Sequence, residues 1–370
     1  MSSRVYLDYN ASAPVWPEAA DAVDEALRAG ANASSIHAPG RAARARIEDA
    51  RESVARLVGA DSAGIVFTGG GTEANNQAVR CSGAERVLVS AIEHESVLSA
   101  DAEAEILPVT PGGAVDLEAL DRALAADTRP ALVAVMLANN ETGVIQPLAQ
   151  VAEIARRRGA RVHCDAVQAA GKIPVDVASL GADSYALSAH KMGGPQGVGA
   201  LALRNPDTVG RLVHGGGQER GRRAGTENVA GIAGFGRAAE IVGERLADFV
   251  GLAALRDGME SEIRAVEPEA WIVGTDAPRL PNTSMMVMPG CESAAQVIAM
   301  DLDGIAVSAG SACSSGRVQL PYVLDAMGVE EAAAMCALRV SLGWRTTSNE
   351  IDRFVASWAG LRRRTDRRVA

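Results

Sequence analysis

Lysine is nearly missing from this chain. Of its 36 Lys and Arg side chains only Lys172 and Lys191 are lysine, and arginine supplies the rest. A residue used so rarely is positioned rather than scattered. Lys191 stands in Ser188-Ala189-His190-Lys191-Met192-Gly193-Gly194-Pro195-Gln196-Gly197, among a serine, a histidine and glycines. Positive charge in general is outweighed: the net charge is −10 and the pI about 5.2. That excludes the basic face of a nucleic-acid binder. The one basic cluster, Arg362-Arg363-Arg364 with Arg367-Arg368, reads as a solvated terminus. Cysteine is sparse and unpaired. Cys81, Cys164, Cys291, Cys313 and Cys336 are odd in number and form no C-x-x-C pair, which excludes a disulfide framework or a zinc knuckle and suits a reducing compartment. No apolar run approaches a membrane span. Residues 1–10 lack a charged-then-apolar leader and carry Asp8 early, so the expected location is the cytoplasm. Repeats and low-complexity segments are also absent.

What is present is ordinary globular sequence, 48% hydrophobic and 22% charged. Its 370 residues are enough for two domains. Short apolar runs at 64–68, 86–90, 106–109, 131–137, 161–164, 183–188 and 198–203 alternate with helical sequence at 41–58, 95–102, 117–125 and 148–158. A first helix is expected from Pro17. This alternation predicts βαβ units and a mainly parallel sheet, an α/β domain. Beyond about residue 230 the texture changes. One long helix is expected over 230–265. Short strands follow at 283–288, 305–308 and 338–341, with helices at 293–301 and 349–361. This part reads as a smaller α+β domain.

The chemistry-bearing residues fall at strand ends, where open α/β sheets bind ligands. Gly69-Gly70-Gly71-Thr72 joins a strand to a helix; it suits an anion cup or, equally, a plain tight turn. His94 in Glu93-His94-Glu95-Ser96 could shuttle protons or lie flat against a ring, and alone reads as a surface histidine. Asn139-Asn140-Glu141-Thr142-Gly143 could hold a phenolic oxygen or be an ordinary turn. His163-Cys164-Asp165 invites a metal reading, but consecutive strand residues face opposite ways and cannot easily converge on one ion, so no metal is expected. Asp165 alone can keep a pyridine nitrogen protonated. Lys191 can form an imine with an aldehyde cofactor while Ser188 and His190 hold its phosphate. On its own stretch it would pass for an exposed loop lysine. Together, an anion cup, a ring plate, a carboxylate and an imine-forming lysine describe a pyridoxal-phosphate site. Cys313, in Ser308-Ala309-Gly310-Ser311-Ala312-Cys313-Ser314-Ser315-Gly316, is an accessible thiol among small residues, either the reactive one or an incidental loop cysteine.

Over nearly its whole length the chain resembles the cysteine desulfurases, the NifS/IscS-like branch of the class-V aminotransferases. The marks are Tyr6-Leu7-Asp8-Tyr9-Asn10, Ser34-Ser35-Ile36-His37, Phe67-Thr68-Gly69-Gly70-Gly71-Thr72-Glu73-Ala74-Asn75-Asn76, Glu93-His94, Asn139-Asn140-Glu141-Thr142-Gly143, Asp165-Ala166-Val167-Gln168, Ser188-Ala189-His190-Lys191, His214-Gly215-Gly216-Gly217-Gln218-Glu219-Arg220, Arg223-Ala224-Gly225-Thr226 and the Cys313 loop. The resemblance implies the PLP-dependent transferase fold of type I. A seven-stranded-type, mainly parallel sheet would lie in a large domain at 15–250. A smaller α+β domain of 1–14 and 251–370 would carry the cysteine loop.

The resemblance also implies roles. Lys191 forms the imine with pyridoxal 5'-phosphate and moves the substrate's α-proton, and His94 stacks on the ring. Asp165 pairs the ring nitrogen, Asn140 and Gln168 contact the ring oxygen, and Gly71, Thr72, Ser188 and His190 hold the phosphate. Thr226 serves the phosphate of the other subunit in a homodimer. Arg339, and less directly Asn32, bind the substrate carboxylate. L-cysteine gives alanine and a persulfide on Cys313, destined for a sulfur-acceptor protein. The acceptor could be an iron–sulfur scaffold or a carrier for tRNA thiolation or nitrogenase. Alanine stands in Asn32-Ala33-Ser34 where the family commonly has proline, and the end after Trp358 looks shorter than the scaffold-binding end of the housekeeping branch. Selenocysteine lyase and other class-V aminotransferase-type reactions are the alternatives, and Cys313 speaks against a plain transaminase. A non-catalytic relative would have lost Lys191, Asp165 or Cys313, and all three are present.

Overall fold

A computed structural model of the chain describes residues 4–309 and 320–369. Within them the strands, in chain order, are β1 (Val5–Tyr6), β2 (Ile65–Thr68), β3 (Arg86–Ser90), β4 (Glu105–Leu107), β5 (Ala131–Ala134), β6 (Arg161–Asp165), β7 (Ser184–Ser188), β8 (Gly199–Leu203), β9 (Trp271–Ile272), β10 (Thr283–Val287), β11 (Ile305–Ala306) and β12 (Ala337–Ser341). The main sheet has the order β2-β8-β7-β6-β5-β3-β4. Pairs among β3 to β7 are parallel, and β8 runs antiparallel to both β7 and β2. Strands β2 to β7 therefore all point the same way, and their C-terminal ends share one edge.

The continuous apolar runs follow from burial on both faces. Ile65 and Phe67 enter one core layer, with Ile47 and Val54 of the helix Ala38–Val58, while Val66 enters another with Ala74 and Leu201. Each large side chain buried in this way contributes about 2 kcal/mol. The helix Pro17–Ala29 starts on its proline and ends at Gly30 in the left-handed region, φ 44°.

A second core gathers Val5 and Leu7 of the N-terminus with Met286, Leu338, Val340, Phe354 and Trp358. There β12-β10-β9 form an antiparallel sheet, and β1 pairs with β11 in parallel.

Three expectations need correction. The helix expected over 230–265 is two, Val229–Glu244 and Leu246–Val266, broken at Arg245. The first packs Ile232, Phe235 and Val242 into the main core, and the second sends Met259 and Ile263 into the other. The chain turns between two cores; Arg245 itself is neither glycine nor proline, and Gly243 stands two residues before it. The helix expected over 95–102 is only Glu95–Leu98. The C-terminal helix runs Ser348–Val369, and Arg362 is not simply solvated: it pairs with Glu267 and donates to the Pro289 carbonyl at 2.9 Å. No described helix is long and apolar enough to cross a membrane.

Candidate active site

A cleft of about 1130 Å³ opens at the shared strand edge. Gly71, Thr72, His94, Asn140, Asp165, Gln168, Ser188, His190, Lys191 and Arg339 all line it, with Asn10, Asn75 and Tyr322. After β2, Gly70 takes φ 153° and the chain enters the ten-residue helix Gly71–Arg80. A Cβ on Gly71 would meet Val167 Cγ2 at 2.8 Å and Ser188 Cβ at 3.5 Å. Only glycine lets this helix start so close to the end of β7, leaving its first amides beside Ser188 and His190. A second depression of about 650 Å³ lies outside the glycine turn and shares Gly71, Thr72, Ser188 and His190.

Lys191 ends a short 3-10 turn after β7. Its Nζ donates to the carbonyls of Asn10 at 2.6 Å and Ala11 at 2.9 Å. Burial lowers its pKa to about 8; the Arg339 charge adds to this, while Asp165 and Asp8 oppose it. The other lysine is close by. Lys172, fully buried, donates to Asn10 Oδ1 at 2.7 Å and Gln168 Oε1 at 2.5 Å. Burial, with the charges of Lys191 and Arg339, pushes its pKa well below the usual lysine range. Gln168 Nε2 in turn donates to the Asn10 carbonyl at 3.0 Å. Burial, then Lys191 and Lys172, lowers His190 to about 4, so that ring is neutral.

Strand alternation sends Cys164 into the main core and turns His163 and Asp165 to the same side. Both reach Asn75. Its Nδ2 donates to Asp165 Oδ2 at 2.7 Å and Ser96 Oγ at 2.9 Å, and its Oδ1 faces His163 Nε2 at 3.0 Å. The Val167 amide donates to Asp165 Oδ1 at 2.9 Å. His94 Nδ1 accepts from the Ser96 amide at 3.1 Å, capping the helix Glu95–Leu98.

Arg339 reaches the cleft from β12. Its Nη2 pairs with Asp8 at 2.7 Å and its Nη1 donates to the Asn140 carbonyl at 3.1 Å. Arg339 Nε and Asn140 Oδ1 are buried with no hydrogen-bond partner among the described residues. Asn140 is presented by a turn in which Asn139 Oδ1 accepts from the amides of Glu141 and Thr142, each at 2.9 Å. Asn32 and Thr226 are exposed and do not line the cleft. Cys313 lies outside the described residues.

The sequence profile described as aminotransferase class-V matches residues 5–354. A cysteine desulfurase of Cereibacter sphaeroides is 43% identical over 367 residues, covering 95% of this chain and 94% of that protein. The chain belongs to the class-V aminotransferase family, in its cysteine desulfurase branch. An IscS-like cysteine desulfurase of Mycobacterium tuberculosis is 40% identical over 366 residues, covering 94% of this chain and 93% of that one. The solved NifS-like protein of Rickettsia africae superimposes with a TM-score of 0.90 at 34% identity, covering 97% and 99% of the two chains. SspA, solved in complex with cysteine, gives a TM-score of 0.77 at 29% identity over 91% and 98%. The enzyme thus has the type I fold of the PLP-dependent transferases, as the sequence led one to expect.

That family is PLP-dependent, and the donor set suits pyridoxal phosphate. There is a half-buried amine, a buried carboxylate, a glycine turn at a helix start, and two buried polar atoms with no partner among the described residues. Asn75, Asn10, Asp8, Lys172 and Tyr322 carry no role that the sequence alone assigns. A signal existed for Lys172: the chain's scarcity of lysine applies to both lysines, and Lys172 lies behind the cleft on Asn10 and Gln168. Tyr322, whose hydroxyl donates to the Glu93 carbonyl at 2.7 Å, had no sequence signal.

Proposed function

We propose that the enzyme binds pyridoxal 5'-phosphate in this cleft and uses it to remove sulfur from L-cysteine. The observation that carries the reading is the convergence of Lys191, Asp165, His94 and Arg339 on one cleft at the strand ends. SspA, a relative, is solved with cysteine, and we carry that ligand to this chain. When bound, the cofactor supplies a carbonyl that condenses with amines and a ring that takes up electron density.

The chain's residues do the rest. Lys191 Nζ would anchor the cofactor and, as a free amine, would move the α-proton of the substrate. Asp165 holds the proton of the ring nitrogen, His94 covers the ring, and Asn140 and Gln168 bind its oxygen. Gly71 and Thr72 at the helix start, with Ser188 and His190, bind the phosphate. Arg339 binds the substrate carboxylate, its guanidinium lying in the cleft wall beside Asp8 and Asn140. Asn32 has weaker support, being outside the cleft. Cys313 receives the sulfur as a persulfide while the carbon skeleton leaves as L-alanine, so one sulfur atom moves from one thiol to another and the carbon gains the hydrogen. The persulfide then serves a sulfur-acceptor protein.

Residues 15–250 would form the cofactor domain, and 1–14 with 251–370 the domain carrying Cys313. The separate core that Val5 and Leu7 share with Trp358 supports this division. Thr226, exposed, would reach the phosphate of the other subunit in a homodimer. The depression outside the glycine turn leaves room for such an approach.

Attachment of the cofactor needs the neutral amine. With Lys191 lowered to about 8, the rate of covalent loading should rise with pH and level off near there. Stopped-flow absorbance of the apoprotein mixed with pyridoxal phosphate tests this. A rate still climbing towards 10.5, the ordinary lysine value, would remove Lys191 from the role.

A further inference from the structure

Asn75 and His163 have no part in these roles, although both are buried beside the cleft, 1% and 0% exposed. Their hydrogen bonds leave no choice of direction. Asp165 as a carboxylate only accepts, so the Asn75 amide must turn Nδ2 towards it and Oδ1 towards His163. His163 must then donate from Nε2, which leaves Nδ1 to accept from Ser184 Oγ at 2.9 Å. Burial lowers His163 to about 3, against a smaller upward pull from the Ser184 backbone. The ring is neutral and held in one tautomer.

The other arm of Asn75 works the same way. The Ser96 amide donates to His94 Nδ1, so that nitrogen carries no hydrogen, and Ser96 Oγ, which accepts from Asn75, gives its own proton to the same atom 2.8 Å away. With Nδ1 accepting, His94 carries its proton on Nε2. One amide therefore joins the carboxylate and the imidazole that the proposed function sets on a ring's nitrogen and on its face.

We infer that Asn75, oriented by His163, is the positioning residue of this site, fixing Asp165 and His94 together as a cofactor cradle. This rests on the proposed roles of Asp165 and His94. An amide does not relay protons, so the chain His163–Asn75–Asp165 gives direction and not proton transfer. Two hydrogen bonds donated to Asp165, from Asn75 and from the Val167 amide, fix the direction of its carboxylate.

The test uses the full-length protein loaded with pyridoxal phosphate and reads the dissociation constant by equilibrium dialysis together with the position of the visible band. His163→Gln keeps a donor for Asn75 and an acceptor for Ser184; His163→Phe keeps neither. We expect His163→Phe and Asn75→Leu to weaken cofactor binding roughly ten- to a hundredfold and to move the band. His163→Gln should stay within about threefold of wild type, the cost of an imperfect mimic. Equal effects of the Gln and Phe variants would reduce the network to packing and overturn the inference.

Nitrogen-15 NMR of the wild-type protein, labelled on its five histidines, does not depend on any variant folding. Hydrogen on His163 Nε2 and none on Nδ1 at neutral pH is the expected result. The opposite tautomer or a charged ring would overturn the inference. Asp165→Asn separates the two levels. If it leaves affinity and band unchanged, the role of Asp165 has failed. If it changes them while the His163 variants match wild type, only the inference has failed.

Discussion

Lys191→Ala should abolish covalent attachment of pyridoxal phosphate and lower turnover roughly a thousandfold or more. The neighbouring Lys172 cannot take over. It is fully buried, and its Nζ is held by the side chains of Asn10 and Gln168. Among the described residues Lys191 Nζ is held by two main-chain carbonyls at the cleft wall, and its lowered pKa leaves much of it neutral near pH 8. With two lysines in the chain the assignment is clean. Borohydride reduction of the loaded protein, followed by peptide mass analysis, should place the pyridoxyl group on Lys191. Finding it on Lys172, or on both, would contradict the account.

Cys313→Ser should leave cofactor loading unchanged and reduce alanine formation roughly a hundredfold or more, because a hydroxyl is a far weaker nucleophile than a thiolate. The described cysteines offer no substitute. Cys164, Cys291 and Cys336 are buried, and Cys81 does not line the cleft. Burial raises Cys81, with Arg80 only partly offsetting it, and drives Cys164 far up. Mass analysis of protein treated with L-cysteine without reductant should find the extra sulfur on Cys313. Undiminished alanine formation in the variant would move the nucleophile elsewhere.

The sheet was legible because its strands, the exposed edge strand β4 apart, are buried on both faces and so are written as short unbroken apolar runs. The runs at 86–90 and 183–188 match β3 and β7 within a residue. The break at Arg245 was not legible, because two cores, not a breaking residue, cause it. Lys191, Asp165 and the glycine turn stood out since each lies at a strand end and one chemistry needs all of them. Asn75 did not. Its place in the helix Gly71–Arg80 gives no local sign of the three side chains, from 21 to 90 residues distant, that it joins. His163 was weighed only as a metal ligand beside Cys164. The relation that matters is to Asp165, two residues on and on the same face of the strand.

The most direct test of the central claim is the stoichiometry of products from free L-cysteine, measured on the purified, pyridoxal-phosphate-loaded enzyme with an added reductant. The account predicts L-alanine and sulfide in equal amounts. Loaded enzyme that yields no alanine, or that yields pyruvate and ammonia with the sulfide, would contradict it.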